Sequence, residues 1–232
     1  MISIEAKLKQ LANPKFAENY QRFFKTGKGE YGEGDRFLGI RVPKLREIAK
    51  NHHDLPLEQV KPLLKSPFHE IRLCGFILLV NRYQKANNSK EKKSLYRVYT
   101  SHFHYLNNWD LIDVTCHKII GPHLEHTSKK PLYQWAKSKN LWKRRISIVT
   151  TFWYIRNNDL DDSYRLAKLL LEDDHDLIHK AVGWVLRECG KKDFKRLEKF
   201  ILEHYRKMPR TTLRYAIERF PEGKRKKLLN LK

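Results

Sequence analysis

At 232 residues the chain can bury a sizeable core, as one large domain or two small ones. It carries 48 Lys and Arg against 26 Asp and Glu, a net charge of +22 with neutral histidine. An excess of that size, spread along the whole chain, predicts a polyanionic partner, with nucleic acid ahead of an acidic membrane surface, and argues against a peptide-binding scaffold. No stretch approaches the roughly 18 apolar residues of a membrane helix, and Met1 to Pro14 hold no signal-peptide core. Cys74, Cys116 and Cys189 lie in apolar contexts without a CxxC, the usage of reduced thiols in a cytosolic protein. The expectation is a single cytoplasmic domain over residues 1–232, nucleoid-associated when bound to DNA.

In chain order, residues 2–12 and 14–24 read as short helices, the second opened by an Asn13 cap and Pro14. Residues 25–36 then hold four of the ten glycines. They read either as a surface loop or as a short β-hairpin near residues 25–37, with Tyr31 near its tip and Lys25, Lys28 and Arg36 meeting phosphates. No GxxxxGK[ST] occurs, so the stretch is not a Walker loop. From Val42 onward helices are predicted over 43–52, 55–65, 67–86, 89–106, 107–125, 128–139, 140–157, 160–173, 175–190, 193–207, 209–220 and 222–231. Asn pairs, prolines and Gly190 mark the breaks, and a further break is expected at Pro122.

The helices beginning near 67, 107, 140, 175 and 209 share a layout: a polar or aromatic first turn, one charged residue, then an apolar run. The charged residues are Arg72, Asp113, Arg145, Lys180 and Arg214, spaced by 41, 32, 35 and 34 residues. Such periods suit helical-pair repeats of the HEAT kind, and the predicted fold is an all-α curved solenoid. Lys and Arg along its concave wall would track a phosphate backbone. Asp113 is the one acid at these positions. It is either ion-paired or faces something cationic.

Trp109 and Trp184 each lie four residues from their repeat's charged position, Trp142 lies three from Arg145, and Trp135 and Trp153 read as core. Indoles beside the charged face would stack on bases, pack on sugars or hold a cation. Among the eleven histidines, His102, His104, His117, His123 and His126 lack metal-ligand spacing and HExxH is absent, so no metal is expected.

Four segments make the chain resemble the AlkD-type DNA alkylation-repair glycosylases, which are built from HEAT-like repeats: Phe37-Leu-Gly-Ile-Arg-Val-Pro-Lys-Leu-Arg46, Trp109-Asp-Leu-Ile-Asp113, Asn140-Leu-Trp-Lys-Arg-Arg145 and Lys180-Ala-Val-Gly-Trp-Val-Leu-Arg-Glu188. The resemblance covers roughly residues 14–220. It implies a monofunctional glycosylase that hydrolyses the N-glycosidic bond of cationic alkylated purines, such as 3-methyladenine and 7-methylguanine, in duplex DNA, initiating base excision repair without full base flipping. It implies Asp113 as the catalytic carboxylate, Trp109 and Trp184 against the sugar, and Arg145 on the backbone. Lys180, Arg187, Arg214, Arg72, Lys44, Lys25, Lys28, Tyr31 and Arg36 complete the expected DNA contacts. No cofactor, metal, membrane or obligate protein partner is implied, and a monomer is expected. The alternative is a non-catalytic binder of damaged, bent or branched DNA on the same fold. The chain departs from the prototype at Asn108 and Phe23, which replace a tryptophan and a tyrosine, and in its longer glycine-rich stretch.

Overall fold

The computed structural model describes residues 3–230. The helix ends predicted at Ile2 and Leu231 lie outside them. Among the described residues the fold is all-α, with no strand and one isolated parallel bridge between Arg36 and Phe68. The β-hairpin expected near residues 25–37 is therefore absent. Tight turns take its place: the N–H groups of Glu30, Gly32 and Asp35 donate to the carbonyls of Gly27, Lys25 and Gly32. Left-handed backbone at Lys25 (φ 55°), Gly29 (φ 79°) and Gly34 (φ 80°) reverses the chain too often for two extended segments. The carboxylates of Glu30 and Glu33 accept from Gly27 and Gly29, taking donors that a ladder would need.

The chain's contacts divide it into two compact units, one ending at Thr115 and one beginning at Cys116. The first contains α1 (Ile4–Gln10), α2 (Pro14–Phe23), α3 (Val42–Asn51), α4 (Leu57–Leu63), α5 (His69–Lys85), α6 (Ser89–Ser101) and the start of α7 (Trp109–Glu125). Local chemistry sets the boundaries. Asn13 accepts from Phe16 N–H ahead of Pro14, and Asn88 accepts from Glu91 N–H. α5 is the core helix of this unit. It is buried on every side from His69 to Val80 and packs against α3, α4 and α6. A Cβ at Gly75 would lie 3.0 Å from Leu63 and Leu64, so this glycine lets α4 approach.

The second unit holds the rest of α7, then α8 (Lys130–Ala136), α9 (Leu141–Val149), α10 (Phe152–Arg156), α11 (Asp161–Leu169), α12 (Asp176–Lys192), α13 (Phe194–His204), α14 (Arg210–Ala216) and α15 (Glu222–Leu229). Here α12 is central, packed against α9, α10, α11, α13 and α14. A Cβ at Gly183 would fall 2.6 Å from the Thr212 carbonyl, so only glycine allows α14 this close.

Several boundaries differ from the sequence reading, and three of the differences have a visible cause. The helix expected over 140–157 divides at the buried pair Thr150–Thr151, where the Thr151 hydroxyl donates to the Ile148 carbonyl. α12 runs past Gly190 to Lys192; this glycine makes room for Leu197 of α13, whose Cδ2 would lie 2.3 Å from an added Cβ. α7 continues through Pro122 to Glu125. Trp153, read as core, is half-buried, and its indole N–H donates to Glu125 at 2.9 Å. Among the described residues no helix is long and apolar enough to cross a membrane.

Candidate active site and nucleic-acid interface

α7 starts at Trp109 because Asn108 holds it there. Asn108 is fully buried. Its Oδ1 accepts from Trp109 N–H at 2.9 Å, and its amide donates to the Phe24 carbonyl at 3.4 Å. The residue that replaces the prototype's tryptophan thus ties the helix start to the end of α2. Trp109 is half-buried, stacked on Phe24 (centroids 5.3 Å apart, 28° between planes) and edge-on to Phe23 at 5.7 Å. Asp113, also half-buried, follows one turn later on the same side of the helix.

Behind Trp109 lies a buried polar network that sequence reasoning missed. The His69 ring bonds Asp35 through Nδ1 and Asp110 through Nε2, both at 2.8 Å. Arg72 donates to Asp35 at 2.7 Å, Asn107 at 2.8 Å, and the carbonyls of Ser66 (2.9 Å) and Tyr105 (3.2 Å). Burial alone would lower the imidazole's pKa, but the charges and hydrogen bonds of Asp110 and Asp35 outweigh it and push it up to about 9. Burial would raise the Asp35 carboxyl, yet His69 and Arg72 together hold it below its ordinary range. Beside them, Glu70 accepts from the N–H groups of Leu38 (2.8 Å), Gly39 (2.7 Å) and Ile40 (3.1 Å). The motif around Phe37 is thus a backbone cradle for a carboxylate. Gly39 is required in it, with φ 81° and the Asn13 carbonyl 2.2 Å from any added Cβ. Arg72 was expected on a phosphate-binding wall. It is 4% exposed and its donors are taken, so it is corrected to a structural cation. The available signal was His69, Glu70 and Arg72 within a helix that has no polar face: such side chains must be buried and paired.

The same region encloses a cavity of about 290 Å³ within the first unit. Tyr20, Phe23, Phe24, Phe37 and Trp109 supply its aromatic wall, and His69, Glu70 and Asp110 its polar one. Phe23 at its edge is 62% exposed, unusual for a phenylalanine.

In the second unit, Trp184 is half-buried on α12 with its ring 4.4 Å from that of Phe152. Both border a cavity of about 390 Å³ whose charged lining is Arg156, Glu188, Lys191 and Lys192. Arg145 was expected to offer its fork to a phosphate. It is 5% exposed and donates through Nη1 to the Leu177 carbonyl at 2.6 Å, near the start of α12. The expected surface placement of Arg145 is therefore corrected to a buried one. Arg187 pairs with Glu218 and lies 3.5 Å from Glu188. Lys180 reaches solvent and pairs with Asp176 at 2.6 Å, and Arg214 is exposed on α14.

Of the remaining expected contacts, Lys44 pairs with Glu47 at 2.7 Å, and Lys25 lies 3.8 Å from Glu30. Lys28 is exposed among the turns, and exposed Arg36 sits over the Phe68 ring at 4.8 Å. Tyr31 is half-buried rather than carried on a hairpin tip. The five charged positions of the repeat thus separate into buried cations (Arg72, Arg145), solvent-reaching cations (Lys180, Arg214) and the half-buried Asp113. Among the described residues, no group of three or more His, Cys, Asp or Glu could hold a metal ion.

Comparison with known proteins agrees with this arrangement at the level of fold. A solved structure described as a predicted DNA alkylation repair enzyme from Enterococcus faecalis superposes with a TM-score of 0.71. It is 18% identical, and the match covers 91% of this chain and 97% of that one. No curated protein matches. The model of one family, described as DNA alkylation repair enzyme, matches residues 4–220 and so takes in both units, the Trp109–Asp113 turn and α12. On that extent of match, the chain belongs to the DNA alkylation repair enzyme family.

Proposed function

We propose that the protein is a monofunctional DNA glycosylase that releases cationic alkylated purines of the 3-methyladenine and 7-methylguanine type from duplex DNA. The observation that carries this reading is the Trp109–Asp113 turn, an indole and a carboxylate one helical turn apart, both half-buried, in a chain of net charge +22. An alkylated purine cation is already a good leaving group, so no strong general acid is needed. As the N-glycosidic bond breaks, its electron pair moves onto the ring and neutralises it, while positive charge develops on the sugar. The Asp113 carboxylate stabilises that charge and takes a proton from the water whose oxygen bonds to C1′. Trp109, on the same helix, packs against the sugar and adds cation–π stabilisation. Arg156, Lys192, Lys180 and Arg214 supply the solvent-reaching positive charge that a backbone needs. The chemistry requires no cofactor, and the protein acts as a monomer in the cytoplasm at the first step of base excision repair.

The second reading is that damaged, bent or branched DNA is bound without excision. One assay separates the two. Duplex DNA containing 7-methylguanine is incubated with the protein and free base is measured. The glycosylase reading expects release. Binding without release assigns the protein to the second reading.

A further inference from the structure

Asp113 can act only if the face of α7 that carries it is correctly aimed, and it lies close to the helix start. Helix starts leave backbone N–H groups without intrahelical partners and are where a helix opens first. Trp109 is the first residue of α7 and Asp110 follows it. Asp110 has no task in the mechanism above. Its Oδ1 accepts from Leu111 N–H at 2.9 Å, and its Oδ2 meets His69 Nε2 at 2.8 Å. His69 opens α5, the core helix of this unit, and its Nδ1 meets Asp35 at 2.8 Å. The Phe37 ring stacks on the imidazole at 4.6 Å and 26°, which fixes the plane in which it bonds. One turn along α5, Arg72 donates to Asn107 and to the Tyr105 carbonyl. α5 thus holds both the approach to α7 and its first turn.

Stability alone gives little reason for this arrangement. A cation is the unfavourable charge at a helix start. A buried ionic cluster is commonly no more stable than apolar residues of the same volume. What the cluster supplies is direction. An imidazolium donates at both nitrogens, so one rigid ring spans two acceptors, whereas a neutral ring donates once. Burial opposes the charge on His69, but Asp110 and Asp35 outweigh burial and raise its pKa to about 9, so both bonds are made at neutral pH. Asp110 and Asp113 lie about 60° apart around the helix axis. With a carboxylate about 6 Å from that axis, about 10° of helix rotation moves it by about 1 Å. A misplacement of about 1 Å can cost about 10²-fold in rate.

We infer that His69 is a positioning residue of the candidate active site: bonded to Asp35 on one side and Asp110 on the other, it fixes the rotation of α7 about its axis and with it the aim of Trp109 and Asp113. The rate effect expected below rests on the glycosylase reading; the placement of the turn does not.

The bridge is cut from either side, by His69→Gln or by Asp110→Ala. It is rebuilt by combining His69→Gln with Asp110→Asn, where one new amide donates to Asp35 and accepts from the other. Single-turnover release of 7-methylguanine and affinity for the duplex are measured on variants that keep a cooperative urea transition. Each cut should lower the release rate at least about tenfold with affinity within about twofold of wild type, and the rebuilt bridge should recover the rate to within about threefold. In parallel, fluorine NMR of protein carrying 5-fluorotryptophan reports the setting of each indole. The Trp109 resonance, identified by its loss in Trp109→Phe, should move in both cut variants and return in the rebuilt one, because its ring is stacked on Phe24. The resonances of Trp135, Trp142, Trp153 and Trp184 should stay. An unchanged rate in a folded cut variant, a loss of affinity as large as the loss of rate, or an unmoved Trp109 resonance overturns the inference. If the wild-type protein releases no base, the glycosylase reading fails by itself and the resonance alone decides whether His69 places the turn.

Discussion

The two tryptophans expected to share one sugar stand in opposite surroundings. Trp109 borders an aromatic cavity whose charged lining is acidic on balance; Trp184 borders one lined by Arg156, Lys191 and Lys192 against a single Glu188. The charge beside the indole thus differs in sign between the two cavities. The same contrast holds for the core helices. α5 carries its arginine inward, spent on Asp35, whereas α12 sends Lys180 to solvent.

The largest expected effect tests that inward arginine. Asp35→Ala strands two buried cations, His69 and Arg72, and should cost about 3–5 kcal/mol in urea unfolding. Lys180→Ala, which removes a solvent-reaching partner of Asp176, should cost less than about 0.5 kcal/mol. Similar destabilisation by the two would erase the distinction between the helices.

A second effect follows from protonation. His69 is raised above its unfolded value of 6.5 to about 9, so its contribution is complete below pH 6.5 and disappears as pH rises through 9. Asp35 is depressed, so its contribution is complete above its unfolded value of 3.8 and disappears as pH falls through its lower folded value. Stability should therefore be flat between these unfolded values and decline by about 2–3 kcal/mol from pH 6.5 to 10. His69→Gln should remove most of that alkaline decline in urea midpoints recorded across the range. An unchanged decline would place the titrating group elsewhere.

The smallest effect concerns the Trp184 side. Arg156→Gln with Lys192→Gln should lower DNA affinity about tenfold at ~0.1 M salt and reduce the salt slope by about 0.9 for each phosphate that is no longer neutralised. Phe23→Ala should leave that slope unchanged. If the double variant keeps the wild-type slope, this cavity does not face phosphate.

Helices were readable from the sequence because their signals are local. Asn13 caps its helix as expected, Asn88 does so at an expected break, and the apolar spacing defines the faces between. What escaped depends on partners far along the chain. Arg72 and Lys180 look alike in a repeat register, yet one is met by Asp35, 37 residues away, and the other by Asp176 on its own helix. The glycines of 25–36 marked the place where helix fails. Whether the chain then extended or turned depended on Glu30 and Glu33 folding back onto it. The turn from Trp109 to Asp113 was visible as an indole and an acid at helical spacing. Its setting, with Asn108 holding the helix start and His69 behind it, was not.

Asp113 is tested most directly by the single-turnover rate of 7-methylguanine release, compared between wild type and Asp113→Asn with the duplex saturated by protein. A carboxylate that stabilises the sugar cation predicts a fall of about 10²-fold or more with DNA affinity nearly unchanged. Equal rates for the two proteins would contradict that role.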